Sequence, residues 1–194
     1  YFIMNKYISI FFCVQIIALN LFAMQPKVTP VDYVRPQIDT HKSRWFFFSS
    51  ASRPFGMVSL SPDTWTEGSW NSGYLYNSKE IRCFSHVHCW QLAGVPVMPT
   101  TGEVKGHKGM DAYKSTYSHE TEIVKPGYHK VELDTYQIRV ELTSTSRVGM
   151  HRYTYPAGEK ANVLFDVGAL LAHGKTEKAA IHPVSYTHLT LPTT

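Results

Sequence analysis

The sequence predicts an all-β domain built as an antiparallel β-sandwich. Three observations carry that expectation. Residues 138–143 alternate strictly, with Ile138, Val140 and Leu142 on one side and Arg139, Glu141 and Thr143 on the other. Such a strand has one dry face and one wet face. Other short apolar or alternating runs recur at roughly ten-residue spacing with turn residues between them, the pattern of a sandwich. Before His173, no segment keeps a 3.6-residue apolar period over three turns.

The elements follow in order. Met4-Asn5-Lys6 precede an apolar run over 7–22 that ends at the small residue Ala23. One positive charge, an apolar run and a small residue read as a secretory signal over 1–23, with Tyr1-Phe2-Ile3 upstream of the start. The run also has the length of a short membrane anchor. The expected location is outside the cytoplasm (periplasmic, cell-surface or extracellular), with no membrane contact after cleavage. Residues 27–40 carry Pro30 and Pro36 and read as an extended lead-in. Residues 54–62 read as a strand between prolines, 63–76 as an aromatic loop, 81–88 and 95–98 as strands, and 102–118 as a polar excursion. Residues 128–133 and 138–143 form a hairpin turning over 134–137. Residues 147–155 and 161–167 are further strands, joined by a turn over 155–160. The sandwich domain thus spans 24–183. Residues 184–194 resemble cloning read-through, a non-native tail after an unfinished domain.

Cys13 would leave with the signal, so Cys83 and Cys89 remain. Export permits a disulfide. Six extended residues reach about 20 Å, too far to bridge. Two free buried thiols are the preferred reading.

Charge and motifs exclude several functions. Nineteen Lys and Arg against fifteen Asp and Glu leave +4, scattered singly. Neither a nucleic-acid arm nor a polybasic membrane patch is present. There is no phosphate-cradling Gly-rich loop and no Gly-x-Ser-x-Gly elbow. Asp63, Glu67 and Glu80 sit in loop-like contexts that give no reason for a raised pKa, so no catalytic residue is assigned. His86 and His88, two apart and flanked by Cys83 and Cys89, could form part of a metal cluster. No second ligand pair with zinc-like spacing follows. Hydrogen-bonding histidines are preferred, and no metal ligand is assigned.

Aromatics reach 13% and histidines number ten. The better lead is Trp70-Asn71-Ser72-Gly73-Tyr74. It joins stacking faces to short hydrogen-bonding groups and a permissive glycine. A sugar has an apolar C–H face and a polar rim, and it needs such a platform. The candidate substrate-binding residues are Trp70, Asn71, Gly73 and Tyr74, with His86, His88 and Trp90 as a second wall. The alternative is that these aromatics cap the core under long loops.

Ordered motifs add a resemblance. They are Pro54-Phe55-Gly56-Met57-Val58, Leu60-Ser61-Pro62-Asp63-Thr64, Ser72-Gly73-Tyr74, Cys83-Phe84-Ser85-His86-Val87-His88 and Met98-Pro99-Thr100. Ser118-His119-Glu120, Pro126-Gly127-Tyr128 and Arg147 through Pro156 continue the series. Over residues 28–182 the chain resembles the N-terminal domain of glycoside hydrolase family 92, exported α-mannosidases. The resemblance implies a β-sandwich followed by a large (α/α)6 barrel that is missing here. It implies a mannose-containing glycan as substrate and release of mannose with inversion. It also implies a calcium ion in the full-length enzyme, with none expected on this fragment alone. Acid, base and calcium ligands of the family lie in the barrel. The partner expected in cis is therefore that C-terminal catalytic domain. A free-standing carbohydrate-binding sandwich is the rival expectation.

Overall fold

A computed structural model of the chain describes residue 15 and residues 28–41, 51–66, 73–88, 95–169, 178–185 and 188–190. The chain divides into two compact units, residues 1–33 and 34–194. In the first, the described residues include a single 3-10 turn over Pro30–Tyr33. The Asp32 carboxylate ties it by accepting from the Thr29 amide at 2.7 Å and the Thr29 hydroxyl at 2.8 Å.

The second unit is the expected sandwich. Its strands are β1 (Ala51–Ser52), β2 (Ser59–Asp63), β3 (Glu80–Ile81), β4 (Cys83–Ser85), β5 (Val97–Thr101), β6 (Ser115–Thr116) and β7 (Ile123–Lys125). They continue as β8 (Tyr128–Leu133), β9 (Ile138–Ser144), β10 (Gly149–Thr154), β11 (Ala161–Phe165), β12 (His182–Ser185) and β13 (His188–Thr190). One sheet runs β1-β2-β4-β5-β11 and the other β10-β9-β8-β7, with β3-β6 and β12-β13 as separate ribbons.

The hairpin β8–β9 lies where the alternation places it. Tyr128 pairs with Thr143 and Leu133 with Ile138. Ile138, Val140 and Leu142 are buried, whereas Arg139 and Thr143 are exposed. The buried side packs Val131, Leu133, Ile138, Val140 and Leu142 against Ala51, Leu60 and Phe84 of the first sheet. That apolar seam is the core, and area removed from water drives it. The wet side carries charge. Glu141 accepts from the Tyr128 hydroxyl at 2.7 Å and from Arg152, and Arg139 reaches Glu132 at 2.8 Å.

Four expectations change. The run 54–62 becomes a strand only at Ser59. Phe55 adopts φ 59 in a turn closed by the Gly56 amide on the Arg53 carbonyl, and the Met57 amide goes to Ser146. A left-handed residue cannot continue a strand. The run 81–88 is two strands in different sheets. Arg82 separates β3, which pairs with β6, from β4, which pairs with β2 and β5. The excursion 102–118 holds a 3-10 turn over Gly106–Lys108 and one helical turn, α1 (Met110–Tyr113), whose Tyr113 is buried. One turn is too short to show a period. Finally, β10 stays beside β9, but β11 crosses to pair with β5. The turn over 155–160 therefore links the two sheets, and the Tyr155 hydroxyl closes it on the Asn162 carbonyl at 2.7 Å.

Cys83 is buried and free. Cys89 lies outside the described residues, as does the 1–23 segment apart from Gln15. No helix among the described residues is long and apolar enough to cross a membrane.

Leu142→Ala should lower the unfolding free energy by about 2–5 kcal/mol, because Leu142 is 1% exposed at the centre of the seam. Thr154→Ser, on the wet side of β10, should change it by under about 0.5 kcal/mol. Urea unfolding of the two variants side by side reads the difference.

Candidate functional site

Gly73 sits where its conformation is required. Its φ is 115, and it bridges to Trp65, with the Gly73 amide donating to the Trp65 carbonyl at 2.7 Å. The Gly73 carbonyl accepts in return from the amides of Thr64 and Trp65 at 2.9 and 3.0 Å. The bridge pins both ends of the span that carries Trp70 and Asn71. Trp70, Asn71 and Trp90 themselves lie outside the described residues.

Tyr74 and His88 are interior groups in this domain. Tyr74 has no exposed surface. Its hydroxyl donates to Glu122, 2.8 and 2.9 Å from the two carboxylate oxygens, and accepts from Gln37 Nε2 at 3.1 Å. Burial, with the Glu122 charge beside it, pushes its phenol far above the usual range. His88 places Nε2 2.6 Å from Asp63 Oδ1 and 3.1 Å from Ser85 Oγ, while Nδ1 donates to the Ser59 carbonyl. The burial that would lower its pKa is outweighed by the Asp63 charge and by both hydrogen bonds, so the pKa rises.

Serine, histidine and aspartate meet here, but not as a catalytic triad. A triad sets the nucleophile on one ring nitrogen and the carboxylate on the other. In this cluster Ser85 and Asp63 share Nε2. The arrangement is a buried ion pair that ties the residues after β4 to β2.

The sequence places His86 and His88 on one face of a strand. Since β4 ends at Ser85, their rings part. His86 Nε2 lies 2.9 Å from His151 Nε2 on β10, and the Tyr153 hydroxyl sits 2.7 Å from His151 Nδ1. Burial lowers the pKa of both rings, with the His88 charge also acting on His86. Gly149 makes the approach possible, since a Cβ there would meet His86 Cδ2 at 2.5 Å.

The sequence reading missed the strongest polar centre. The Glu122 side chain is 2% exposed and lies 2.8 Å from His129 Nε2 and 2.6 Å from His119 Nδ1. Gln37 Nε2 adds a contact at 3.2 Å. Burial alone would raise this carboxyl, yet the hydrogen bonds and charge of His129, then His119 and Tyr74, hold it below the ordinary value. One signal was present. His129 shares the period-2 parity of Val131 and Leu133, the buried side of β8, and a buried imidazole needs a partner. Nothing local marks Glu122.

Among the described residues, no group of three or more His, Cys, Asp or Glu could hold a metal ion. Asp63 and Glu122 are both engaged inside the fold, so neither stands free for proton transfer.

The sequence model of the glycosyl hydrolase family 92 N-terminal domain matches residues 33–190. The chain belongs to glycosyl hydrolase family 92. Its backbone is similar to a family GH92 α-mannosidase of Bacteroides thetaiotaomicron solved with mannoimidazole, with TM-score 0.66 and 35% identity. That match covers 73% of this chain and 20% of the relative. A family GH92 inverting mannosidase of the same species matches with TM-score 0.61 and 26% identity, over 72% of this chain and 20% of its own. No curated protein matches. This family 92 domain therefore spans about one fifth of the length of the solved relatives it matches.

The acid limb of the stability profile follows from these groups. Folded His151 titrates at about 4, against 6.5 for a free imidazole. Between those values the unfolded chain holds a proton that the folded chain refuses, so stability falls as pH drops through that window. His151→Gln should flatten the fall. Glu122, with its lowered folded pKa, contributes stability above 4.5 that is lost below it. His88 has the opposite sign. Its share is complete below 6.5 and is lost as pH rises through the raised folded value. Urea midpoints measured from acid to alkaline pH check each sign. Gly149→Ala should cost about 1–3 kcal/mol, because the His86 ring must move, and thermal unfolding measures it.

Proposed function

We propose that this domain is the N-terminal, site-forming part of an exported, calcium-dependent inverting exo-α-mannosidase, completed by a catalytic barrel in the rest of the protein. One observation carries the reading. A family 92 domain match is joined to solved relatives described as α-mannosidases, and the chain accounts for one fifth of their length. The interior of the domain agrees with it. Inversion needs a general acid and a general base set about 6.5–9.5 Å apart with a water between them. Asp63 and Glu122 are buried, and both are spent on histidines. The pair belongs to the barrel in this reading, and so does the calcium ion.

The role left to this domain is to shape the substrate side. The span between Thr66 and Gly73 and the segment after Ser85 bring Trp70, Asn71 and Trp90 to the glycan. Gly73 and His86 stand at the edges of those segments, and Tyr74 and His88 support them from inside.

The test compares the full-length gene product with residues 24–183. The full-length protein should hydrolyse aryl α-mannosides, release β-mannose by NMR and lose activity with a chelator. The shorter piece should turn over nothing. Hydrolysis by the shorter piece, or α-mannose as the first product, overturns the proposal. Sugar binding by a full-length protein that cleaves nothing would favour a carbohydrate-binding module.

A further inference from the structure

The Glu122 carboxylate joins four segments of the chain. Gln37 comes from the lead-in, Tyr74 from the limb after Gly73, His119 from the turn before β7, and His129 from β8. His119 extends the reach. Its Nε2 donates to the Tyr76 carbonyl at 2.8 Å, and its ring stacks on Tyr76 with centroids 4.1 Å apart and planes 10° from parallel. The limb 73–76 is thus held by one carboxylate at two places, directly at the Tyr74 hydroxyl and through His119 at the Tyr76 carbonyl. Its backbone depends on that placement. The Leu75 amide donates to Thr64 Oγ1 at 2.7 Å, and the Tyr76 amide to the Thr40 carbonyl at 3.0 Å. Gln37 Nε2 and the Tyr74 hydroxyl donate to Glu122, and ring nitrogens of His119 and His129 face it at 2.6 and 2.8 Å. An ionised carboxylate accepts through all its lone pairs, whereas an amide would turn an N–H against another N–H.

We propose that Glu122 is a positioning residue: it fixes the limb 73–76 and thereby sets the affinity of the full-length enzyme for its glycan. The glycan part rests on the mannosidase reading above. The limb part stands on geometry alone.

The experiment uses the full-length enzyme carrying Glu122→Gln. KM for an aryl α-mannoside should rise roughly tenfold while kcat holds within about twofold, because the limb shapes binding and not the reacting atoms. Amide exchange at Leu75 and Tyr76 should quicken, while the β8–β9 amides stay protected. Glu120→Gln, at an exposed glutamate two residues away, should match the parent in both measurements. Tyr74→Phe deletes one donor and should act in the same direction more weakly, and it carries the test if the Glu122→Gln protein does not fold. An unchanged KM, a loss confined to kcat, or unchanged exchange at Leu75 and Tyr76 overturns the proposal. If the full-length protein cleaves no mannoside, the mannosidase reading falls, and the exchange measurement still decides whether Glu122 holds the limb.

Discussion

A carboxylate taken out of water must be surrounded by donors, and this requirement organises the domain. Removing an ionised carboxylate from solvent costs several kcal/mol unless charge and hydrogen bonds replace the lost water. At Glu122 the replacement comes from Gln37, Tyr74, His119 and His129, contributed by segments 37 to 129. Those segments lie far apart in the chain. None can leave without stranding the charge, so each is committed to one placement. Asp63 imposes the same constraint near β4, through His88 and the Cys83 thiol.

The apolar seam and the polar centres divide the labour. Burial of Leu60, Phe84, Val140 and Leu142 between the sheets supplies the driving force. It does so without direction, since apolar contacts tolerate small shifts. The polar centres specify where irregular segments go. Tyr74 is held by its hydroxyl, and the residues after β4 are held by His88. Had the domain only a seam, the sheets would still pack, but the limb 73–76 would have no unique position.

Legibility in the sequence follows the same division. The β8–β9 hairpin was readable because a half-buried strand writes its two faces in alternate letters. Residues 54–62 and 81–88 were less so. A φ of 59 in a tight turn at Phe55, and a change of sheet at Arg82 set by long-range pairing, leave no local period. At the site, the need for a permissive Gly73 was readable from composition. The burial of Tyr74 was not, because its acceptor lies 48 residues later. A tyrosine in a polar loop looks like a ligand platform until its hydroxyl is found to be spent. The separation of His86 from His88 turns on where β4 ends, and pairing with β2 and β5 decides that.

These facts bear on what the buried carboxylates do in this family 92 domain. A wall that is already ordered when a ligand arrives costs less to bind than one that must be ordered at that moment. A span that lines a site is therefore best fixed at its roots. The Trp65–Gly73 bridge closes one span at its roots, and the Asp63–His88 pair anchors the other close to β4. Both anchors lie inside the fold, where solvent and salt do little to loosen them. The same burial that removes Asp63 and Glu122 from proton transfer makes them effective supports. In this domain Asp63 and Glu122 stabilise the histidines and the tyrosine that hold these irregular segments.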